Sequence, residues 1–268
     1  MKIHAPDLNL EATLESGQVF GFTKDTQNGY QGLLEGRPVR FFQNKNELSV
    51  IGGHLSEKRV RDYFDLDRDL SPVYRILSSD EKLVPAHEAL KGLRLIRQDP
   101  WEALVCFIIS SNNNVKRIQH IWKNLLGHFG GFPKPAEIAQ SHERILRQLG
   151  LGYRAPFLQR SAQFVSTNPA CLEAIRQSPY EEAVRRVIAF PGIGPKVADC
   201  VLLYGFHKLE AFPVDVWILR AVRKLYFNNR KVSEERVHAF GQKRWAENAG
   251  YVQQYIFHYT FLLVQAKI

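Results

Sequence analysis

Cysteine is scarce: three in 268 residues, and Cys106, Cys171 and Cys200 stand far apart. An odd, scattered set speaks against a disulfide framework and against a four-cysteine zinc site or iron–sulfur cluster. Cys106 falls in the apolar run at 104–109, where a buried structural thiol is expected. No apolar run reaches the roughly 18–20 residues that span a bilayer. The opening Met1-Lys2-Ile3-His4-Ala5-Pro6-Asp7 has no apolar signal-peptide core. No membrane partner is therefore expected. With no targeting segment visible, the expected location is the cytoplasm, or the nucleoid in a bacterium. Tandem repeats and low-complexity tracts are also missing.

Positive charge is what the chain has in excess. Thirty-six Lys and Arg against 27 Asp and Glu give a net charge of +9, with a pI near 9.5. A polyanionic partner is one implication, because each neutralised phosphate releases counterions. A well-solvated basic surface is the other, since net charge speaks to association rather than to fold.

The pattern of the chain changes part-way. Gly17-Gln18-Val19-Phe20-Gly21-Phe22-Thr23, Tyr30-Gln31-Gly32-Leu33-Leu34, Val39-Arg40-Phe41-Phe42 and Glu47-Leu48-Ser49-Val50-Ile51 are short, β-rich and punctuated by turn residues, as in an antiparallel sheet. From about Ser71 the period becomes helical. Ile118, Ile121, Trp122, Leu125 and Leu126 share one face, and similar spacing runs through 183–188, 197–203, 216–225 and 252–264. The expected class is α+β: a small N-terminal antiparallel β domain over 1–88, then a helical region over 89–268.

The informative segment is Phe190-Pro191-Gly192-Ile193-Gly194-Pro195-Lys196-Val197-Ala198-Asp199-Cys200, between two helices, within a hairpin over about 184–204. Gly192 and Gly194 permit positive φ and close approach of another molecule. The backbone of Gly192, Ile193 and Gly194 lies at a helix N-terminus, which favours a phosphate. A purely structural hairpin would use the same glycines. Lys196 in the first helical turn opposes the macrodipole, so gripping phosphate or supplying an amine would explain its placement. The field and burial are expected to lower its pKa and free the amine for nucleophilic attack. Nineteen positions on, Asp215 precedes an apolar-periodic helix. An N-cap explains it alone, but a rigid carboxylate could also stabilise positive charge or relay protons at a reacting sugar.

Gly-Ile-Gly-Pro-Lys followed by Pro-Val-Asp resembles the helix-hairpin-helix signature of base-excision DNA glycosylases, and the lysine resembles their bifunctional members, which also nick the strand by β-elimination. Further segments resemble the 8-oxoguanine DNA glycosylase family: Ser16-Gly17-Gln18-Val19-Phe20, Leu95-Ile96-Arg97-Gln98-Asp99-Pro100, Ser110-Ser111-Asn112-Asn113-Asn114, Leu149-Gly150-Leu151-Gly152-Tyr153-Arg154 and Gly250-Tyr251-Val252-Gln253-Gln254-Tyr255-Ile256-Phe257. Such enzymes must rotate the target nucleotide out of the duplex. The resemblance implies Lys196 and Asp215 as catalytic residues and Asn112 as the filler of the vacated stack, with Tyr153 as the wedge beside it. It implies that Arg117 and Arg154 read the orphaned cytosine. It implies a base pocket of Gly17, whose carbonyl would accept the N7–H that guanine lacks, with Cys200 and Phe257 on the two faces and Gln253 at the Watson–Crick edge. Without the resemblance, Asn112, Asn113 and Asn114 make a helix-terminating polar turn, Arg117 and Arg154 are surface charges, and Cys200 and Phe257 are core.

Two departures stand out. The family's usual His–Asp pair near the DNA backbone is replaced by Trp217 and Thr260, which suggests a substituted interaction. Gly21-Phe22 stands where Arg-Trp is usual, so the sheet is expected to pack differently. The implied partner is double-stranded DNA containing oxidised guanine, bound by a monomer. No metal site and no iron–sulfur cluster is expected, and no cofactor is required, although hairpins of this kind can hold a monovalent cation on backbone carbonyls. Alternatives are a relative acting on alkylated bases or oxidised pyrimidines, and a non-catalytic hairpin module that only grips DNA.

Overall fold

The computed structural model describes residues 1–266. Five strands, β1 (Lys2–His4), β2 (Thr23–Lys24), β3 (Tyr30–Leu34), β4 (Arg37–Asn44) and β5 (Glu47–Gly52), form one antiparallel sheet in the order β1-β5-β4-β3-β2. Glu35 and Gly36 both take left-handed φ, +54° and +72°, which matches the twist of the β3–β4 hairpin they close. Alternation along β4 buries Val39 and Phe41 on one face, and Phe41 meets Phe64 edge-on at 5.0 Å.

Two short helices, α1 (Leu10–Leu14) and α2 (Glu57–Tyr63), belong to this half. The rest is helical: α3 (Ser71–Ser79), α4 (Val84–Leu90), α5 (Pro100–Ser110), α6 (Val115–Phe129), α7 (Pro135–Gln140), α8 (Glu143–Leu146), α9 (Ala155–Thr167), α10 (Cys171–Gln177), α11 (Tyr180–Ile188), α12 (Pro195–Gly205), α13 (Val216–Tyr226), α14 (Glu234–Trp245) and α15 (Ala249–Gln265). The α+β class expected from the sequence is the one observed. Buried side chains fall into two clusters, one under the sheet and one among the helices; α3 and α4 contribute Val73, Leu77, Ala86 and Leu90 to the helical cluster.

The helix at the centre is α5. Asp99 starts it by accepting the Trp101 and Glu102 amides, and its residues from Ala103 to Ile109 are all buried, as a helix apolar on every side must be. It lies so close to α12 that a Cβ on Gly205 would come within 2.8 Å of the Ala103 Cβ. This contact carries α12, and with it the hairpin.

One expected strand does not form. Of the segment 17–23 only Thr23 enters the sheet. The Gln18 side chain, fully buried, instead donates to the carbonyls of Thr13 and Arg94 at 2.9 Å and accepts the Ile96 amide at 2.8 Å. Those bonds hold the segment as a strap against the helical body and turn it away from a ladder. Gly21 is explained by the same packing: a Cβ there would lie 3.0 Å from Trp122 Nε1 on α6, so the indole occupies the space of a larger residue.

Asp65 joins the halves from the other side. It is 3% exposed and accepts from Arg97 at 2.6 Å, Arg68 at 2.7 Å and Tyr251 at 2.9 Å, with His207 at 3.3 Å. Burial works against its charge, but His207, Arg97 and Arg68 outweigh it and hold the carboxyl well below the usual carboxylate value. A depressed carboxyl stabilises the fold above its unfolded value near 4, and this is lost as pH falls. Asp65→Asn should cost about 3 kcal/mol at pH 7. Urea unfolding of both proteins at pH 7 and pH 3 checks this: the gap should narrow at the lower pH.

Candidate active site

The hairpin consists of α11, a turn over 189–194, and α12. Gly192 has φ +78°, and a Cβ on it would strike the Phe157 ring at 2.4 Å, so both its conformation and its seat on α9 demand glycine. Gly194 is the N-cap of α12, with Pro195 at the first helical position. The amides of Gly192 and Gly194 have no hydrogen-bond partner among the described residues, whereas that of Ile193 donates to Phe190 O at 3.3 Å. Ile193 is also buried. Of the three residues singled out for phosphate, the two glycines therefore offer free donors and Ile193 does not.

Lys196 and Asp215 come together. Both line a cavity of about 630 Å³ with Gly17, Cys200, Gln253 and Phe257. Asp215 is the N-cap of α13: its Oδ1 accepts the amides of Trp217 at 3.0 Å and Ile218 at 2.8 Å. Its Oδ2 is unbonded among the described residues. Capping and cavity lining thus coexist in one carboxylate.

The electrostatics correct one expectation. The Lys196 amine is held above the usual lysine value: the Cys200 sulfur and the Asp215 carboxylate beside it favour the ammonium by more than desolvation disfavours it. Burial pushes the Cys200 thiol up to about 11 despite the neighbouring ammonium, so near neutral pH it is an uncharged thiol. The Asp215 carboxyl is itself raised above the usual carboxylate value by burial, against its two amide donors and Lys196.

At the far wall, Gln253 is 4% exposed. It donates through Nε2 to Pro213 O at 3.1 Å, while its Oε1 is buried with no partner. Such an orphan costs about 1–3 kcal/mol unless something fills it. Gly17 has φ +75° and lies against Phe257, whose Cε1 would be 3.3 Å from an added Cβ. Its neighbours are tied down: Ser16 O accepts from Gln254 at 2.7 Å and Gln18 O from Gln98 at 2.5 Å. The Gly17 carbonyl accepts no hydrogen bond among the described residues. Two acceptors without partners thus belong to residues lining one cavity, and a few unsatisfied polar groups among apolar walls are the usual form of a small-molecule site.

A second cluster lies at the cavity rim. Asn113 and Asn114 line it, Asn114 caps α6 by accepting the Arg117 amide at 3.0 Å, and Asn112 is exposed with φ +47°. Tyr153 is 49% exposed and stacks on the Arg154 guanidinium at 4.4 Å. Arg117 is exposed, whereas Arg154 is buried.

Comparison with known proteins fits this arrangement. Residues 1–104 match the 8-oxoguanine DNA glycosylase N-terminal domain, and residues 105–247 match the HhH-GPD superfamily of base excision DNA repair proteins. The chain belongs to that superfamily and, within it, to the 8-oxoguanine DNA glycosylases. A probable N-glycosylase/DNA lyase of Methanothermobacter thermautotrophicus is 30% identical over 97% of this chain and 96% of its own. The solved structure of MBOgg1 with a low-affinity DNA ligand is 31% identical, with TM-score 0.94, covering 98% of this chain and 96% of that one. The Clostridium acetobutylicum 8-oxoguanine glycosylase/lyase, solved with double-stranded DNA containing cytosine opposite 8-oxoG, is 27% identical, with TM-score 0.90 over 100% of this chain and 99% of that one.

Several residues that shape the glycosylase cavity escaped sequence reasoning. Gln18, Gln98 and Gln254 fix the strap, and Asp199 binds Tyr180 at 2.5 Å and His238 at 2.9 Å, tying α12 to α11 and α14. Their one sequence signal is polarity inside apolar runs. The suggested substitute for the His–Asp pair is not formed: the Thr260 hydroxyl donates to Ile256 O of its own helix, and Trp217 lines the cavity beneath Arg220, 5.9 Å away.

Gly17→Ala should be strained by about 1–3 kcal/mol at this left-handed φ and push on Phe257. Thermal unfolding should show the loss. Base release should fall further than strand nicking at a preformed abasic site, which needs no base pocket.

Proposed function

We propose that this protein excises 8-oxoguanine from duplex DNA, preferentially opposite cytosine, and then nicks the strand. The observation that carries the reading is the meeting of Lys196 and Asp215 in a cavity also lined by Gly17 and Gln253, whose Gly17 O and Gln253 Oε1 have no partner among the described residues. Guanine oxidised at C8 has a hydrogen on N7 and offers it to the Gly17 carbonyl. Unmodified guanine offers a lone pair there, and the buried unmade bond costs about 1–3 kcal/mol. Gln253 Oε1 faces the donors of the Watson–Crick edge, with Phe257 and Cys200 against the two ring faces.

In the proposed reaction, the neutral Lys196 amine attacks the anomeric carbon while the glycosidic bond breaks and the base leaves with the bonding pair. Asp215 stabilises the positive charge that grows on the sugar. Ring opening then gives an imine, and loss of a C2′ proton expels the 3′-phosphate. The amides of Gly192 and Gly194 grip the backbone, Asn112 fills the vacated stack beside Tyr153, and Arg117 faces the orphaned cytosine. These side chains supply the chemistry with no further cofactor.

Borohydride trapping on duplexes with 8-oxoguanine opposite each base tests this. A covalent adduct is expected, strongest opposite cytosine and absent in Lys196→Gln; no adduct and no base release from the wild type would sink the reading. Preferential release of alkylated purines would move the substrate to the alkylation class. Asp215→Asn should slow turnover by about 100-fold or more while duplex affinity changes little; equal losses would leave Asp215 a plain helix cap.

The raised lysine also sets the pH response. Below its pKa the neutral fraction of the amine grows tenfold per pH unit. Single-turnover rates should therefore keep climbing well above pH 8, and a plateau below pH 8 would contradict the charge balance described for Lys196.

A further inference from the structure

The positive charges along α6 are unopposed. Its 15 residues include Lys116, Arg117, His120, Lys123 and His128, and no Asp or Glu. Elsewhere basic side chains are often paired, as Arg59 is with Glu35 and Asp62, Arg61 with Asp67 and Arg186 with Glu182, whereas no ion pair among the described residues involves α6. Lys116, His120 and Lys123 follow one another at four- and three-residue spacing, so they form a single stripe. The stripe is exposed and lies on the face away from the buried Ile118, Ile121, Trp122 and Leu125.

All three residues line a groove of about 770 Å³ between α6 and the sheet, where Leu33 and Ile51 face them and no Asp or Glu among the described residues contributes. Trp122 lines it too. Its indole is 6% exposed, packs on Phe132, and makes no hydrogen bond through Nε1 among the described residues. Asn124 Nδ2 lies 3.2 Å from His120 Nε2 and also donates to Leu149 O at 3.1 Å. An amide nitrogen only donates, so the neutral imidazole accepts at Nε2 and carries its hydrogen on Nδ1. Two ammonium groups, an imidazole N–H and an indole N–H thus belong to one groove, with no anion there to answer them. Lys116 lines both this groove and the catalytic cavity, so the two meet at the first turn of α6.

We propose that the groove beside α6 holds the phosphate backbone of the substrate duplex on one side of the extruded nucleotide. A duplex whose nucleotide enters the catalytic cavity must run past its rim, where the stripe begins. From Lys116 to Lys123 the helix rises about 10 Å, equal to about three nucleotides of one strand at 3.4 Å of duplex axis each. Phosphates there gain two cations and two neutral donors, while Leu33 and Ile51 meet the apolar faces of the sugars. The inference rests on the glycosylase reading above and adds a contact surface that the reading does not use.

The probe is a duplex carrying a tetrahydrofuran abasic analogue, which the lysine cannot cleave, titrated by fluorescence anisotropy across a salt series. Lys116→Gln combined with Lys123→Gln should reduce the slope of log affinity against log salt by about 2, since each lost phosphate contact removes about 0.9. Lys123→Glu alone, farther along the helix from the cavity, should reduce it by about 1 or more. Lys45→Gln combined with Lys58→Gln removes the same charge from exposed positions in the sheet half and should leave the slope unchanged. Shortening the duplex on one side of the lesion should weaken wild-type binding to the level of the doubly substituted α6 variant, which should itself be indifferent to that shortening. An unchanged slope in the α6 variants would overturn the proposal. So would an equal fall in the sheet-half control, or an α6 variant that responds to shortening of either arm as the wild type does. Wild-type protein that releases no 8-oxoguanine would instead defeat the underlying functional reading.

Discussion

One buried amide, that of Gln18, holds the two halves of the molecule in register. Its two donors and its acceptor are all used, on Thr13, Ser16, Arg94 and Ile96, with no exposure to water. A buried amide is costly unless fully bonded, so the strap has one position in which the fold is stable. Ser16 and Gln18 are pinned there, and Gly17 between them keeps a free carbonyl. The sheet thus serves the cavity less by its surface than by delivering a single acceptor to one place. Asp65 performs the matching task on the opposite side, where four side chains converge on one desolvated carboxylate.

The chemistry depends on a balance that burial alone would not produce. Desolvation disfavours the ammonium of Lys196 and the carboxylate of Asp215 alike, and each is partly rescued by the other. Cys200 stays protonated because it is more deeply buried than either. The resting cavity therefore holds an amine and a carboxyl group of opposite charge preference, and neither is bonded to Gly17 O or Gln253 Oε1. In the proposed reaction, a nucleophile that rests as a cation would be protected from stray reaction until it loses its proton.

Much of this was legible in the chain. The change from two-residue to helical period separated sheet from helices, and the Gly-x-Gly-Pro-Lys turn located the hairpin from local rules alone. Asp215 was legible as a cap, because a carboxylate before an apolar-periodic helix has a local signature. What escaped was non-local. The strap at 17–23 has strand-like residues, but Gln98 and Gln254, some 80 and 240 positions away, take the carbonyls a neighbouring strand would have used. The sign of the Lys196 shift was missed for a similar reason. The helix dipole and burial can be inferred from sequence position, but the influence of Cys200 and Asp215 needs the three side chains placed in one cavity. Arg154 looked like a surface charge on local rules, and nothing near it in sequence announces the Ser111 and Asn112 carbonyls to which it donates, 43 and 42 positions earlier.

The replacement of an ionisable pair by Trp217 and Thr260 bears on the same balance. Thr260 turns its hydroxyl into its own helix, and Trp217 presents an indole beside Phe257 and Phe261, whose rings lie parallel at 6.4 Å. The mouth is thereby aromatic where an imidazole and a carboxylate would have brought two further titrations. Among the residues lining the cavity, Lys116, Lys196 and Asp215 are the basic and acidic side chains, while Cys200 is held as a thiol and the Tyr204 hydroxyl is pushed far above its ordinary range by burial. Lys116 is exposed to solvent, where its field is screened. In the proposed reaction, proton uptake and release within the cavity would then fall to Lys196 and Asp215, and pH would act on the bond-breaking step.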